Sequence, residues 1–333
     1  MVANSITDQF NRQHTYLRIS LTERCNLRCF YCMPEEGIQL SEKESVLTHE
    51  EIIYIAKEFV KLGVNKIRLT GGEPLIKKNI EKIIRELANL PIQLGITTNG
   101  ILLDKYLPLL KECNVNDINI SLDTLDREKF NYMTRRDYFD RVLANIYQSI
   151  MQGFKVKINA VLIKGVNDSE IVDFIEFTKD KNLSFRFIEF MPFDGNKWDT
   201  SKVVTLDDIF KIINKHYQPE QLIKLEDKKN DTTKNYRIKG YKGSFGVIST
   251  VSNPFCDSCN RIRLTANGNI KNCLFSSTET DLLTALRQGK DIRSLILKSV
   301  DSKAKSRGGM MSDEDFYDKE KNTKNRAMIS IGG

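Results

Sequence analysis

Short apolar runs alternate with amphipathic stretches from Tyr16 to about Phe190. The runs predict strands near 16–20, 66–70, 92–97, 117–121, 155–161 and 184–190. Helical patterns lie between the later ones. Thr48-His-Glu-Glu51 has the form of a capping box, and Ile52, Ile53, Ala56, Phe59 and Val60 follow at helical spacing until Gly63. Asp137 precedes Phe139, Val142, Leu143, Ile146 and Ile150, with Gly153 as the stop, and Asn167-Asp168 opens a helix carrying Ile171, Val172 and Ile175. Strands that alternate with helices of this length argue for repeated β–α units around a parallel sheet. Six units predict an α/β fold of the incomplete (β/α)6, TIM-type barrel class or an open relative of it.

Special residues follow nearly every predicted strand. The first is followed by a cysteine triplet, the second by Gly71-Gly72-Glu73-Pro74, the third runs into Thr97-Thr98-Asn99-Gly100, the fourth ends in Ser121-Leu122-Asp123 and the sixth yields Glu189 and Met191. Barrel-like parallel sheets build their active sites at this face, so five such endings predict one shared site. Beyond Met191 the pattern loosens. Residues 195–204 read as a loop, 205–215 as a helix and 223–235 as an exposed charged stretch, with strand-like runs at 236–251 and 261–265. Residues 300–327 are densely charged and expected to be mobile, ending in an apolar tail from Met328 to Gly333. The expected division is 1–194 and 195–333.

Composition narrows the classes. The chain has 333 residues, 40% of them hydrophobic, which is enough for a buried core and excludes general disorder. No apolar run approaches the roughly 18–20 residues of a membrane span. Met1 to Thr15 is polar, without the apolar stretch of a secretory signal, and points to a cytoplasmic protein. The net charge of +7 suits an anionic ligand and suits a solvated basic face equally well. The basic residues are spread along the chain rather than gathered in a stripe, which argues against nucleic acid.

Six of the seven cysteines form two triplets, Cys25/Cys29/Cys32 and Cys256/Cys259/Cys273. In a reducing compartment such clusters bind metal or do chemistry more often than they pair. Tetrahedral zinc prefers four ligands, and the nearest further candidate, His49, falls in a predicted helix. Three thiolates on a four-iron cluster leave one iron open to a small molecule. Zinc with a distant fourth ligand is the plainer alternative, and Cys-x2-Cys is a common zinc knuckle. Arg261 and Arg263 alternate on a predicted strand beside the second triplet, so both guanidiniums share a face and suit a phosphate chain; solvated surface charges are the alternative. Cys113 reads as a buried structural thiol. His14, His49 and His216 are scattered and receive no catalytic role.

Cys25-Asn-Leu-Arg-Cys29-Phe-Tyr-Cys32 resembles the signature loop of the radical S-adenosylmethionine (SAM) enzymes, and Gly71-Gly72-Glu73-Pro74 is similar to their GGEP motif. The resemblance implies a 4Fe-4S cluster on Cys25, Cys29 and Cys32 that cleaves SAM reductively to methionine and a 5′-deoxyadenosyl radical. It also implies that Tyr31, Gly72, Ser121 and Met191 contact the cofactor.

With the second triplet the resemblance narrows to the family of GTP 3′,8-cyclases (lyases) that begin molybdenum cofactor biosynthesis. It runs from Leu17 to Gly332-Gly333 through Arg68-Leu-Thr-Gly-Gly-Glu-Pro, Arg186-Phe-Ile-Glu-Phe-Met191 and Arg261-Ile-Arg263-Leu. It implies a C-terminal α+β extension with a second 4Fe-4S cluster on Cys256, Cys259 and Cys273, whose open iron takes the guanine of GTP. Arg18, Arg68, Thr97, Lys157, Arg261 and Arg263 would contact GTP, and a flexible Gly332-Gly333 tail would reach back into the site. The implied reaction abstracts hydrogen from C3′ and joins C3′ to C8. Its implied partners are an external electron donor, a downstream cyclic pyranopterin monophosphate synthase and a second copy of the chain. Two alternatives stay open: a peptide- or protein-modifying radical enzyme with an auxiliary cluster, and a non-catalytic zinc or iron module for RNA or electron transfer.

Overall fold

A computed structural model describes residues 6–310, 312–318, 321 and 325–332. In chain order the first part runs β1 (Tyr16–Ser20), α1 (His49–Lys61), β2 (Lys66–Thr70), α2 (Ile80–Ala88), β3 (Gln93–Thr98), α3 (Leu103–Glu112), β4 (Asp117–Ser121), α4 (Arg127–Thr134), α5 (Phe139–Met151), β5 (Lys155–Leu162), α6 (Ile171–Glu176) and β6 (Leu183–Glu189). Then follow α7 (Leu206–His216), β7 (Leu222–Lys224), β8 (Lys234–Ile238), β9 (Ser244–Ile248), β10 (Arg261–Leu264), β11 (Asn269–Lys271), β12 (Thr280–Asp281), α8 (Leu283–Arg287), α9 (Ile292–Asp301) and α10 (Asp313–Tyr317). A last helical turn spans Met328–Ile331.

Local chemistry explains the helix ends. Thr48 Oγ1 accepts from Glu51 N at 3.2 Å while Glu51 Oε2 accepts from Thr48 N at 2.8 Å, closing the capping box of α1. Thr205 and Asp208 close another on α7. Ile52, Ile55, Ala56 and Phe59 put the buried face of α1 into the main apolar core, and Ile80, Ile83, Ile84 and Leu87 do the same for α2.

The predicted strands all form, with β3 and β6 displaced by one residue from their expected bounds. Asp137 does not cap α5. That position falls to Tyr138, without a side-chain cap, and Asp137 pairs instead with Arg127 at 3.2 Å. The run 236–251 resolves into two strands of an antiparallel hairpin, β8 and β9.

β1 to β6 pair in sequence order, all parallel. The later strands extend the same sheet at both edges. β9 adds parallel to β6, followed by β8 and β7, while β10 adds parallel to β1, followed by β11 and β12. The sheet order ends on β12 and β7, so the barrel stays open. The strands after residue 195 therefore flank the six-strand core rather than forming a sheet of their own.

The charged stretch 300–327, expected to be mobile, is built into the fold at Lys303, Arg307, Phe316 and Asn325, all buried. Cys113 caps the end of α3 and is only partly buried. Met1–Ser5, Met311, residues 319, 320 and 322–324, and Gly333 lie outside the described residues, so of the expected Gly332-Gly333 tail only Gly332 is described. Among the described residues no helix is long and apolar enough to cross a membrane.

Candidate active site

A sheet buried between helix layers usually carries near-continuous apolar strands. These strands alternate instead. On β5, Val156, Ile158, Ala160 and Leu162 enter the main core, while Lys157, Asn159 and Val161 turn to the concave side. The concave faces enclose a cavity of about 410 Å³. Its lining includes Cys25, Cys29, Cys32, Cys256, Cys259 and Cys273, then Tyr31, Gly72, Ser121 and Met191, then Arg18, Arg68, Thr97, Lys157, Arg261 and Arg263. The six clustered cysteines and the expected SAM and GTP contacts thus meet in one space.

Sheet register sets the order of the charges. Arg261, Tyr16 and Lys66 are neighbours across β10, β1 and β2, and one step further Arg263, Arg18 and Arg68 form a second row. Arg186 on β6 makes a seventh cation on the cavity wall. Asp117 offsets part of this charge, lying 2.8 Å from Arg68 and 2.6 Å from Lys157. Cations on both sides hold its carboxyl well below the usual range in spite of burial. Arg68 also donates to Tyr16 OH and to the Ile96 carbonyl, each at 2.7 Å, so its fork is engaged by the protein. Arg261 Nη2 reaches the Asn230 carbonyl at 3.0 Å, and its guanidinium lies over the Tyr16 and Phe255 rings.

The remaining cations show what is missing. Burial pulls Arg263 down to about 9, with Arg18 adding repulsion, and burial pulls Lys157 down to about 8 against the attraction of Asp117. Burial would raise the Tyr16 phenol, but Arg68, Arg18 and Lys66 outweigh it and hold the group at about 8. Arg186 Nε, Arg261 Nη1, Thr97 Oγ1, Asn119 Oδ1 and Asn159 Oδ1 are buried without a hydrogen-bond partner among the described residues. Buried polar atoms of this kind cost free energy unless a ligand satisfies them. The wall is shaped for a polar, multiply anionic molecule.

At the other end lies the first triplet. Leu27 N and Asn99 Nδ2 point at Cys25 Sγ, at 3.4 and 3.7 Å. Gly72 sits so close to the cysteine loop that an added Cβ would overlap the Arg24 carbonyl. Glu73 is fully buried. Burial pushes its carboxyl up to about 7, against donors from Asn99 N (2.7 Å), Thr98 Oγ1 (2.8 Å) and Leu75 N (3.0 Å). It therefore braces the turn after β2 against the end of β3. Tyr31 donates to Asp123 at 2.5 Å, and Asp123 also accepts from Val161 N at 2.8 Å.

Burial pushes the thiols of Cys25 and Cys32 up to about 11 and about 12, so a bound metal is needed to keep them as thiolates. No three His, Cys, Asp or Glu side chains among the described residues are spaced for a single metal ion. A four-iron cluster spreads its ligands more widely than one ion does, and three partly buried thiols on the cavity wall, with N–H donors aimed at Cys25 Sγ, fit it. At the second triplet burial would raise Cys259, but the Lys303 ammonium at 3.4 Å brings it below the usual range.

Sequence reasoning missed Arg186, Asn119, Asn159 and Lys66 as wall residues. Their signal was the polar–apolar alternation inside runs that a sheet buried on both faces would fill with apolar residues. It also missed the 225–233 loop. Read as exposed, that loop brings Asp231, Thr232 and Thr233 to the cavity and lends Asn230 to Arg261. The C-terminal tail docks at the strand ends of β1 and β2, where Arg263 donates to the Gly332 carbonyl and Gly332 packs against Ser20 and Thr70.

Residues 19–178 match the radical SAM superfamily and residues 183–308 match Molybdenum Cofactor Synthesis C. The chain is 47% identical to "GTP 3′,8-cyclase, mitochondrial" of Arabidopsis thaliana, over 100% of this chain and 84% of that one. It is 43% identical to "GTP 3′,8-cyclase" of Listeria monocytogenes, over 98% of this chain and 99% of that one. It is 49% identical to "Molybdenum cofactor biosynthesis protein 1" of Dictyostelium discoideum over 98% of its length, but spans only about half (52%) of that longer relative. Among solved structures, Streptococcus suis SuiB bound to S-adenosylmethionine shares the fold, with a TM-score of 0.62 at 18% identity, covering 89% of this chain and 70% of that one. Superfamily membership implies a 4Fe-4S cluster and SAM. The chain belongs to the radical SAM superfamily and, within it, to the GTP 3′,8-cyclase family of molybdenum cofactor biosynthesis.

Proposed function

We propose that this chain converts GTP to (8S)-3′,8-cyclo-7,8-dihydroguanosine 5′-triphosphate, with SAM bound at Cys25, Cys29 and Cys32 and GTP at the opposite wall. The observation that carries this reading is one cavity lined by both cysteine triplets and by two rows of cations. A triphosphate brings about four negative charges, and fixed cations in a partly dehydrated cavity offset them better than solvent does. Arg261 and Arg263 supply guanidiniums for it, with Arg18, Arg68, Thr97 and Lys157 along the same wall. Cys256, Cys259 and Cys273 would hold a second 4Fe-4S cluster beside the base. Residues 1–194 then hold SAM and share the nucleotide wall with 195–333, which adds Arg261, Arg263 and the second triplet.

When bound, the first cluster supplies the electron that splits SAM. The protein's own contribution is placement and dryness. Gly72 lets the turn after β2 approach the cysteine loop that would hold the first cluster, and Gly72, Tyr31, Ser121 and Met191 would line the space for SAM beside it. An apolar wall including Phe193, stacked on Phe275 at 6.1 Å, keeps water from a reactive intermediate. Holding C3′ of the ribose against the adenosyl group removes the need for an encounter step. The cyclised nucleotide passes to a cyclic pyranopterin monophosphate synthase, and electrons come from an external donor.

Anaerobic incubation of the reconstituted protein with GTP, SAM and dithionite tests this reading. 5′-Deoxyadenosine and cyclised nucleotide should rise together. 5′-Deoxyadenosine without loss of the guanine C8–H signal would reject GTP as the substrate. Cys273→Ser should cleave SAM without making cyclised product.

A further inference from the structure

The second triplet carries a lysine to which the reaction above gives no part. Lys303 lies two residues beyond α9 and is 2% exposed. Its Nζ donates to Cys259 Sγ at 3.4 Å and to the Arg261 carbonyl at 2.9 Å. Neither partner is a carboxylate. An ammonium held out of water costs several kcal/mol unless an anion lies against it, and Cys259 as a cluster-bound thiolate would be that anion.

The lysine is held from several sides. Its own N–H bonds to the Val300 carbonyl at 3.0 Å, the end of α9. A hook from the N-terminal segment grips the next residues: Arg12 donates to the carbonyls of Ala304 (2.9 Å), Lys305 (2.8 Å) and Cys256 (2.9 Å), while Asp8 holds its Nε at 2.6 Å. One buried guanidinium thus ties the strap that bears Lys303 to the loop that bears Cys256. The first triplet differs. The donors to Cys25 there are the neutral amides Leu27 N and Asn99 Nδ2.

We propose that Lys303 is a positioning residue of the second cluster, donating a charged N–H···S bond to Cys259 that raises the cluster's reduction potential. The proposal rests on the reading of Cys256, Cys259 and Cys273 as ligands of a 4Fe-4S cluster. A hydrogen bond to a ligating sulfur, and a positive charge in a low-dielectric setting, both favour the state that carries one more electron. Charged donors do this more strongly than neutral ones.

The test is a redox titration of the anaerobically reconstituted protein followed by electron paramagnetic resonance, with iron and sulfide counts, for the wild type, Lys303→Met, Lys303→Gln and Lys303→Arg. Lys303→Met should move the second cluster's midpoint to more negative potential and leave the first cluster's in place, while Lys303→Arg returns it towards the wild-type value. Lys303→Gln keeps a donor without the charge, so its midpoint should lie between those of Met and wild type; it also provides the reading if Lys303→Met sheds the second cluster. An unmoved midpoint in a fully loaded Met or Gln variant overturns the proposal, as does an equal shift of both clusters. The ligand reading fails separately, through the wild type: about four irons per chain, or zinc at the second triplet, in place of about eight irons removes the cluster itself.

Discussion

Arg263, Arg18 and Arg68 stand side by side because they occupy paired positions on three neighbouring parallel strands. Like charges at such positions repel, and Asp117 answers only the Arg68 end of the row. The remaining repulsion is what a polyanion relieves. Arg261→Ala should therefore weaken GTP binding by about ten- to a hundredfold, the worth of one charged hydrogen-bonding group, and leave SAM affinity unchanged; isothermal titration with each ligand separates the two. The same wall predicts a pH dependence. Lys157 sits at about 8, so it is cationic below that pH and neutral above, and Tyr16, also at about 8, turns anionic over the same range. Both changes make the wall less positive as pH rises, so GTP affinity should fall between pH 7 and 9. Lys157→Arg combined with Tyr16→Phe should flatten that fall.

At the scale of elements, the chemistry sits on turns that strands hold in place. The turn after β2 passes so close to the cysteine loop that only a residue without Cβ fits at 72. Gly72→Ala should displace the loop at Arg24-Cys25 and reduce iron content by about half, with the second cluster's signal retained. Iron counting with electron paramagnetic resonance reads both. These local devices were legible in the chain. The Thr48–Glu51 box, the strand starts and the two cysteine triplets depend on neighbours a few residues apart, and short-range sterics and hydrogen bonding dictate them. Less legible was which side of each strand the polar residues take. Lys157 and Asn159 looked like an ordinary strand until the sheet curved and turned their side towards the cavity. Asp137 had the chemistry of a cap, yet Tyr138 takes that position and Asp137 pairs with Arg127 at the surface.

At the scale of the whole molecule, segments 8–14 and 303–305 meet beside the second triplet. His14 is fully buried and its Nε2 donates to Asp8 Oδ2 at 3.0 Å, next to Arg12 and Lys303. Burial, with Lys303 adding repulsion, lowers its pKa to about 4, from about 6.5 in the unfolded chain. The folded state thus holds this imidazole neutral while the unfolded chain takes up a proton. Stability from this source is complete above about pH 6.5 and is lost as pH falls towards 4, by up to about 3 kcal/mol. Thermal melts under argon should show the midpoint falling across that window, and His14→Asn should shrink the fall while lowering the midpoint at pH 7.

The amino-acid sequence alone determined the β–α repeat, the residues able to ligate iron and the family they point to, because each is written in contiguous residues at fixed spacing. The tertiary structure decided that the two triplets share one cavity. β10 returns to pair with β1 across more than two hundred residues, and β9 closes on β6 at the far edge. Backbone hydrogen bonding and burial of the apolar side of the sheet drive those pairings. The same packing brings Lys303 to Cys259 and Arg12 to Cys256, contacts between segments that carry no mark of one another in the linear chain.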